Sequence, residues 1–132
     1  ICKDKHNLLT NSGRDWMHAQ VYTNTAAGTR GAGFIGLSSN AAAPAATDTA
    51  LTGEITSGGL TRVDAGTKTH TAGTNSTTIQ HTFTASTVHT AVVKASLFNA
   101  VTSGYMAHIN TFTAVTLQAS DTLQVTWTVT LG

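Results

Sequence analysis

The stretch LQVTWTVTL, residues 123–131, alternates without a break: Leu123, Val125, Trp127, Val129 and Leu131 are apolar, and Gln124, Thr126, Thr128 and Thr130 between them are polar. Successive side chains of an extended strand point to opposite faces, so this run is a strand with one apolar face and one threonine face. Trp127 lies on the apolar parity and is expected in the core. A single glycine follows the run, and a module that closes on sheet is expected to be compact.

The same texture extends backwards from this strand. Ile79, His81, Phe83 and Ala85 alternate with Thr78, Gln80, Thr82 and Thr84. The run 87–100 (TVHTAVVKASLFNA) is apolar on both parities in places, as expected of a central strand covered on two sides. A turn at 101–105 separates it from a third run at 106–115, and 116–121 connects that run to the final strand. FIGL (34–37) reads as a short buried strand, and GTKTHTAGTNS (66–76) as a solvent-facing hairpin. Short strands divided by turn signals predict an all-β fold, an antiparallel β-sandwich of jelly-roll or Ig-like type.

Only one segment reads as helix. In TNSGRDWMHAQVY, Ser12 followed by Asp15 fits a capping box, and Leu9, Trp16, Met17 and Val21 give a partial apolar stripe. A short N-terminal helix over 12–22 is expected, preceded by a mixed-charge arm at 1–10. Residues 11–132 then form a single domain. Two small-residue connections, 23–33 and 38–59, read as loops; one as long as the second is usually functional or disordered.

Composition narrows the function classes. Only 10% of the residues are charged, against about 25% in typical domains. A chain so poor in charge is weakly defended against association, and assembly with other subunits is the expected outcome. Seven scattered Lys and Arg residues and a net charge of +1 cannot form the basic stripe that nucleic acid needs. No apolar run approaches the roughly 18 residues of a membrane helix, and no secretory leader is legible. Cys2 is the only cysteine, so packing rather than an internal disulfide is expected to hold the fold.

Catalytic chemistry is not legible. The six histidines (His6, His18, His70, His81, His89, His108) include no pair at zinc-ligand spacing, and no acid stands at ligand spacing from them. There is no G-x-S-x-G elbow. Asp48, Asp64 and Asp121 sit where turn residues belong, and Asp15 where a helix cap belongs. The expectation is no enzyme, no catalytic residue, no metal site and no cofactor.

NLLTNSGRDWMHAQVY (7–22), GFIGLSSNAAAPAATDTAL (33–51) and SLFNAVTSGYMAHINTFTAVTLQASDTLQVTWTVTLG (96–132) together resemble a group of small virion structural proteins of tailed bacteriophages. In that group an N-x-[LV]-[TV]-N-x-G-x-[DN] phrase precedes a short helix. A G-L strand and a P-A-A-x-D-T loop follow, and the chain ends on L-F-[ND]-A, F-x-x-V and D-T-L-x-V-T-W-T strands. Ser96 departs from the residue usual before L-F, and residues 60–78 match none of these motifs.

The resemblance implies a virion component. A capsid decoration (cement) protein is expected, carried on the capsid surface after synthesis in the host cytoplasm. Its partners would be the major capsid protein or other virion proteins, with self-association into a trimer. The alternative is a tail-associated or host-recognition module that binds a receptor or glycan. Partner contact is expected from the arm, at Ile1, Lys3, Lys5, His6, Leu8 and Leu9.

Overall fold

The runs around Phe83 and Trp127 pair with each other, and that pairing is the centre of one of two sheets. In the computed structural model, residues 8–24 and 31–131 are described. Their order is α1 (Asn11–His18), β1 (Phe34–Ser38), β2 (Val63–Asp64), β3 (Thr67–His70), β4 (Ser76–Thr84), β5 (His89–Phe98), β6 (Met106–Leu117) and β7 (Thr122–Thr130). One sheet has the order β2-β1-β5-β6 and the other β3-β4-β7, every pairing antiparallel. The chain is therefore an antiparallel β-sandwich with one short N-terminal helix.

Register follows the alternation. Ile79 faces Trp127, His81 faces Val125 and Phe83 faces Leu123 on the inner side. On the outer side Thr78 meets Thr128, Gln80 meets Thr126 and Thr82 meets Gln124, with Thr67 and Thr69 of β3 alongside. Two of these rows are tied by side chains: the Gln80 amide donates to Thr126 Oγ1 at 2.8 Å, and the Gln124 amide to Thr82 Oγ1 at 3.3 Å. The outer face of this sheet is thus hydroxyl-rich and carries no charge along β4 and β7.

The main core draws Ile35 and Leu37 from β1, Ile79 and Phe83 from β4, Val92, Ala95 and Leu97 from β5, Leu117 from β6 and Val129 from β7. Trp127 packs against it half-buried. β5 is buried throughout its second half, as a central strand should be. Its outward-facing Phe98 joins Phe34 and Leu51 in a second cluster. Leu51 belongs to the long connection after β1, which covers the outside of the four-stranded sheet. Side chains order that connection: Ser38 Oγ donates to the Thr52 carbonyl at 2.7 Å, and the Asn40 side chain accepts from the Ala42 amide at 2.9 Å.

Several sequence expectations need correction here. The helix is capped by Thr10, whose hydroxyl accepts from the Gly13 amide at 3.1 Å, and not by Ser12. It ends at His18 and runs on as a π-helical turn over Ala19–Thr23. Its buried residues are His18 and Tyr22, while Leu9, Trp16, Met17 and Val21 face outward. The stripe expected to seat the helix is therefore its exposed side. β6 also extends to Leu117, so the connector before β7 is only 118–121. Asp64 lies in β2, paired with Lys68, and not in a turn. Of the 23–33 loop, residues 25–30 lie outside the described residues.

The Gly58-Gly59 turn ends at the last residue of β4. Gly59 has φ +85°, and a Cβ there would lie 2.0 Å from the Thr84 carbonyl oxygen. Only glycine avoids both the left-handed strain and that collision. Gly59→Ala is expected to cost about 2 kcal/mol of folding free energy. A lowered urea midpoint at unchanged slope checks it.

Candidate functional site

The helix is held to the sandwich mainly by polar aromatic side chains. Residues 18 and 22 share a face because they are four apart on a helix. From that face His18 reaches β4, where its Nδ1 lies 2.5 Å from Thr77 Oγ1. Tyr22 reaches β6, its hydroxyl 3.1 Å from His108 Nε2. The His18 ring stacks on His70 of β3, centroids 4.2 Å apart and planes 16° from parallel. His108 in turn lies 6.1 Å from the Trp127 ring. Three strands from both sheets meet at the helix through three histidines.

Asp15 completes the seat. Its carboxylate accepts from His70 Nε2 at 2.8 Å and from the Gly73 amide at 2.9 Å. His70 Nδ1 lies 2.9 Å from the Ser76 carbonyl. A carboxylate and a carbonyl can only accept, so both ring nitrogens of His70 are placed to donate, an arrangement that favours the cation paired with Asp15. The hydrogen bond to Asp15 raises the pKa of His70, and the hydrogen bond from His70 holds the Asp15 carboxyl below its ordinary range. Burial, reinforced by the charge on His70, lowers the pKa of His18. Burial alone lowers that of His108 and raises that of Tyr22. The seat thus combines one charged ring with two that burial keeps neutral.

An acid, a histidine and a hydroxyl stand in line here, each also tied into the seat of the helix. His70 Nδ1 is directed at the Ser76 carbonyl and is 3.5 Å from Thr77 Oγ1. Thr77 itself is buried, 1% exposed. Nucleophilic catalysis needs a base free to take the hydroxyl proton and an accessible reacting atom. Among the described residues no three His, Cys, Asp or Glu side chains converge to hold a metal ion.

Outside, the helix presents a row of apolar residues. Leu8 is 88% exposed and Trp16 65%, and Leu9, Met17 and Val21 are exposed as well. Leu8 and Leu9, expected as partner contacts, are thus available at the surface; Ile1, Lys3, Lys5 and His6 lie outside the described residues. A second feature is the groove between the free edges of β6 and β7. It encloses about 160 Å³ and is lined by Ala95, Asn110, Thr111, Phe112, Val125, Thr126 and Trp127. No titratable group lines it, so it offers shape without acid–base chemistry.

Sequence reasoning missed this seat. Asp15 was expected to cap the helix, and no expectation joined it to a histidine; Asp15 and His70 are 55 residues apart. The one local signal was the i, i+4 spacing of His18 and Tyr22 on a helix whose apolar residues lay elsewhere. Comparison with known proteins finds no matching family model, no similar curated protein and no similar solved structure.

Proposed function

We propose that the chain is a virion structural protein of a tailed bacteriophage, a decoration protein that sits on the capsid shell and bridges neighbouring capsomers. The observation that carries this reading is the row formed by Leu8, Leu9, Trp16, Met17 and Val21, exposed on a chain with few charges. An exposed tryptophan on a segment with other exposed apolar residues has the composition of an interface anchor. The phage-like order of motifs over most of residues 7–132 supports the same reading. So do β6 and β7, two sheet-edge strands without a single Asp, Glu, Lys or Arg. Edge strands of monomers are commonly guarded by charge, and unguarded ones favour pairing with further subunits. Repetition over a symmetric lattice then multiplies contacts that are individually weak.

The deciding measurement is copy number against the major shell protein in purified particles. About one copy per shell subunit, or about one-third, supports lattice-wide decoration; a handful per particle refutes it. Trp16→Ala is expected to weaken attachment by about 2 kcal/mol, roughly 30-fold in Kd. The thermal melt should stay unchanged, since the side chain is exposed. Binding assays on emptied shells check both statements.

A second reading rests on the turn between β5 and β6, where Tyr105 is 83% exposed beside the exposed Val101. An aromatic at a loop tip suits recognition of a receptor or glycan, the role of a tail-associated module. A low copy number together with loss of host adsorption in Tyr105→Ala particles would establish it.

A further inference from the structure

Three of the five described histidines, His18, His70 and His108, bind one element, the helix with its π turn at 11–23, to the sandwich. The other two do different work: His81 lies edge-on against Phe83, and His89 Nε2 lies 2.9 Å from the Gly58 carbonyl. Histidine is the side chain whose charge changes near neutrality. Three of them at one seam place a change of charge where it bears on a single element.

The charges around His18 can be named from every element that packs on it. The helix contributes Asp15, Arg14 and the Tyr22 ring; β3 contributes the His70 cation; β4 contributes the neutral Thr77, and the turn before it the Asn75 backbone, which favours a proton on His18 but is outweighed by burial and by His70. Asp15 is engaged by His70 and by the Gly73 amide. Arg14 donates to Asn11 Oδ1 at 2.7 Å and adds a like charge. A proton on His18 would therefore place a second cation face to face with the first, 4.2 Å away, in a site without solvent access. Tyr22 and His108 repeat the problem more gently on the β6 side, since burial opposes charge on His108 as well.

We propose that the His18–His70 stack is an acid-sensitive latch, and that a proton taken up by His18 releases residues 11–23 from β3, β4 and β6 while the sandwich stays folded. The sign is fixed by which state holds the proton more tightly. A freed His18 titrates near the ordinary value of about 6.5, whereas the seated ring resists protonation. Below that value the released state binds the extra proton, so each step down in pH favours release until the seated ring is protonated too. The Asp15–His70 pair acts in the opposite sense on the other side. His70 holds its proton more tightly when seated, so its contribution is present below the ordinary histidine value and fades as pH rises through the raised one. The latch is strongest near the ordinary histidine value, where both contributions are present. Release would carry Trp16 and its apolar neighbours away as one unit, leaving the edge of β3 and the hydroxyl of Thr77 uncovered.

The test is hydrogen exchange on the full chain at about pH 7 and about pH 5, corrected for intrinsic rates, beside an NMR titration of the histidine rings. Amides of 11–23 are expected to lose protection by roughly tenfold, with β4 and β5 unchanged. The His18 ring should titrate below free histidine, and His18→Phe, which keeps the flat ring without the proton site, should abolish the acid response. Equal helix protection at both pH values overturns the proposal. So does loss of helix and sheet protection in step, a His18 ring that titrates at or above the free value, or an acid response that survives in His18→Phe.

Discussion

Phe83→Ala is expected to remove about 3–5 kcal/mol of folding free energy, close to the whole reserve of a marginal domain. Phe83 is buried in β4, the middle strand of the three-stranded sheet, and packs into the main core with Ile79, Ala85 and Val92. β4 is flanked by β3 and β7, so neither neighbour can fold inward to fill the space an alanine would leave. Trp127→Ala, at a position that the sequence pattern places in the core, is expected to do less, about 2–3 kcal/mol. Trp127 sits at the β7 edge of the same sheet, half-buried beside the open groove, and its buried indole Nε1 has no hydrogen-bond partner. Chemical denaturation of both variants gives the order directly. A larger loss for Trp127→Ala would mean that the core is centred on the β6 and β7 edges instead.

The strands were legible because two signals coincide in them. In β7 and β4 the period of two is kept by β-branched and aromatic residues, and each inward position finds an inward partner across the ladder. The central burial of β5 was legible for the related reason that both its parities are apolar. The helix was legible as an element, through its spacing and its N-terminal polar residues, but its orientation was not. Pattern reading turns apolar residues inward, whereas here His18 and Tyr22 point in because Thr77, His70 and His108 wait for them on strands far away in sequence. No local period encodes such partners. The connection after β1 was misread in a similar way: small residues imply freedom, yet Ser38 and Asn40 order its start through their own side chains, and Leu51 anchors its middle. Of the expected contact residues, Leu8 and Leu9 were legible as apolar positions ahead of a helix; their neighbours Trp16, Met17 and Val21 were assigned to the wrong side.

Arg62→Ala is expected to cost about 3–5 kcal/mol, as much as a large core deletion, although the residue is a cation. Its guanidinium donates to both carboxylate oxygens of Glu54, at 2.7 and 2.6 Å, and to the carbonyls of Ser103 at 2.8 Å and Ala100 at 3.2 Å. It also lies 3.4 Å over the Phe98 ring. Two regions far apart in sequence therefore meet on one side chain: the connection after β1, and the end of β5 with the turn that follows it. Removing it strips the carboxylate of its partner, leaves two carbonyls without donors and uncovers the second apolar cluster. Arg62→Lys should recover little, because a single ammonium cannot serve the two-pronged carboxylate and the carbonyls while stacking flat on the ring. Glu54→Gln alone should cost less than Arg62→Ala, since the amide still accepts one of the two hydrogen bonds and the arginine keeps its carbonyls. A double-mutant cycle between positions 54 and 62 is expected to return a coupling of about 1–3 kcal/mol. Coupling near zero would mean that Arg62 works through Phe98 and the turn alone, and that the pair with Glu54 is incidental to how the turn bearing Tyr105 is held.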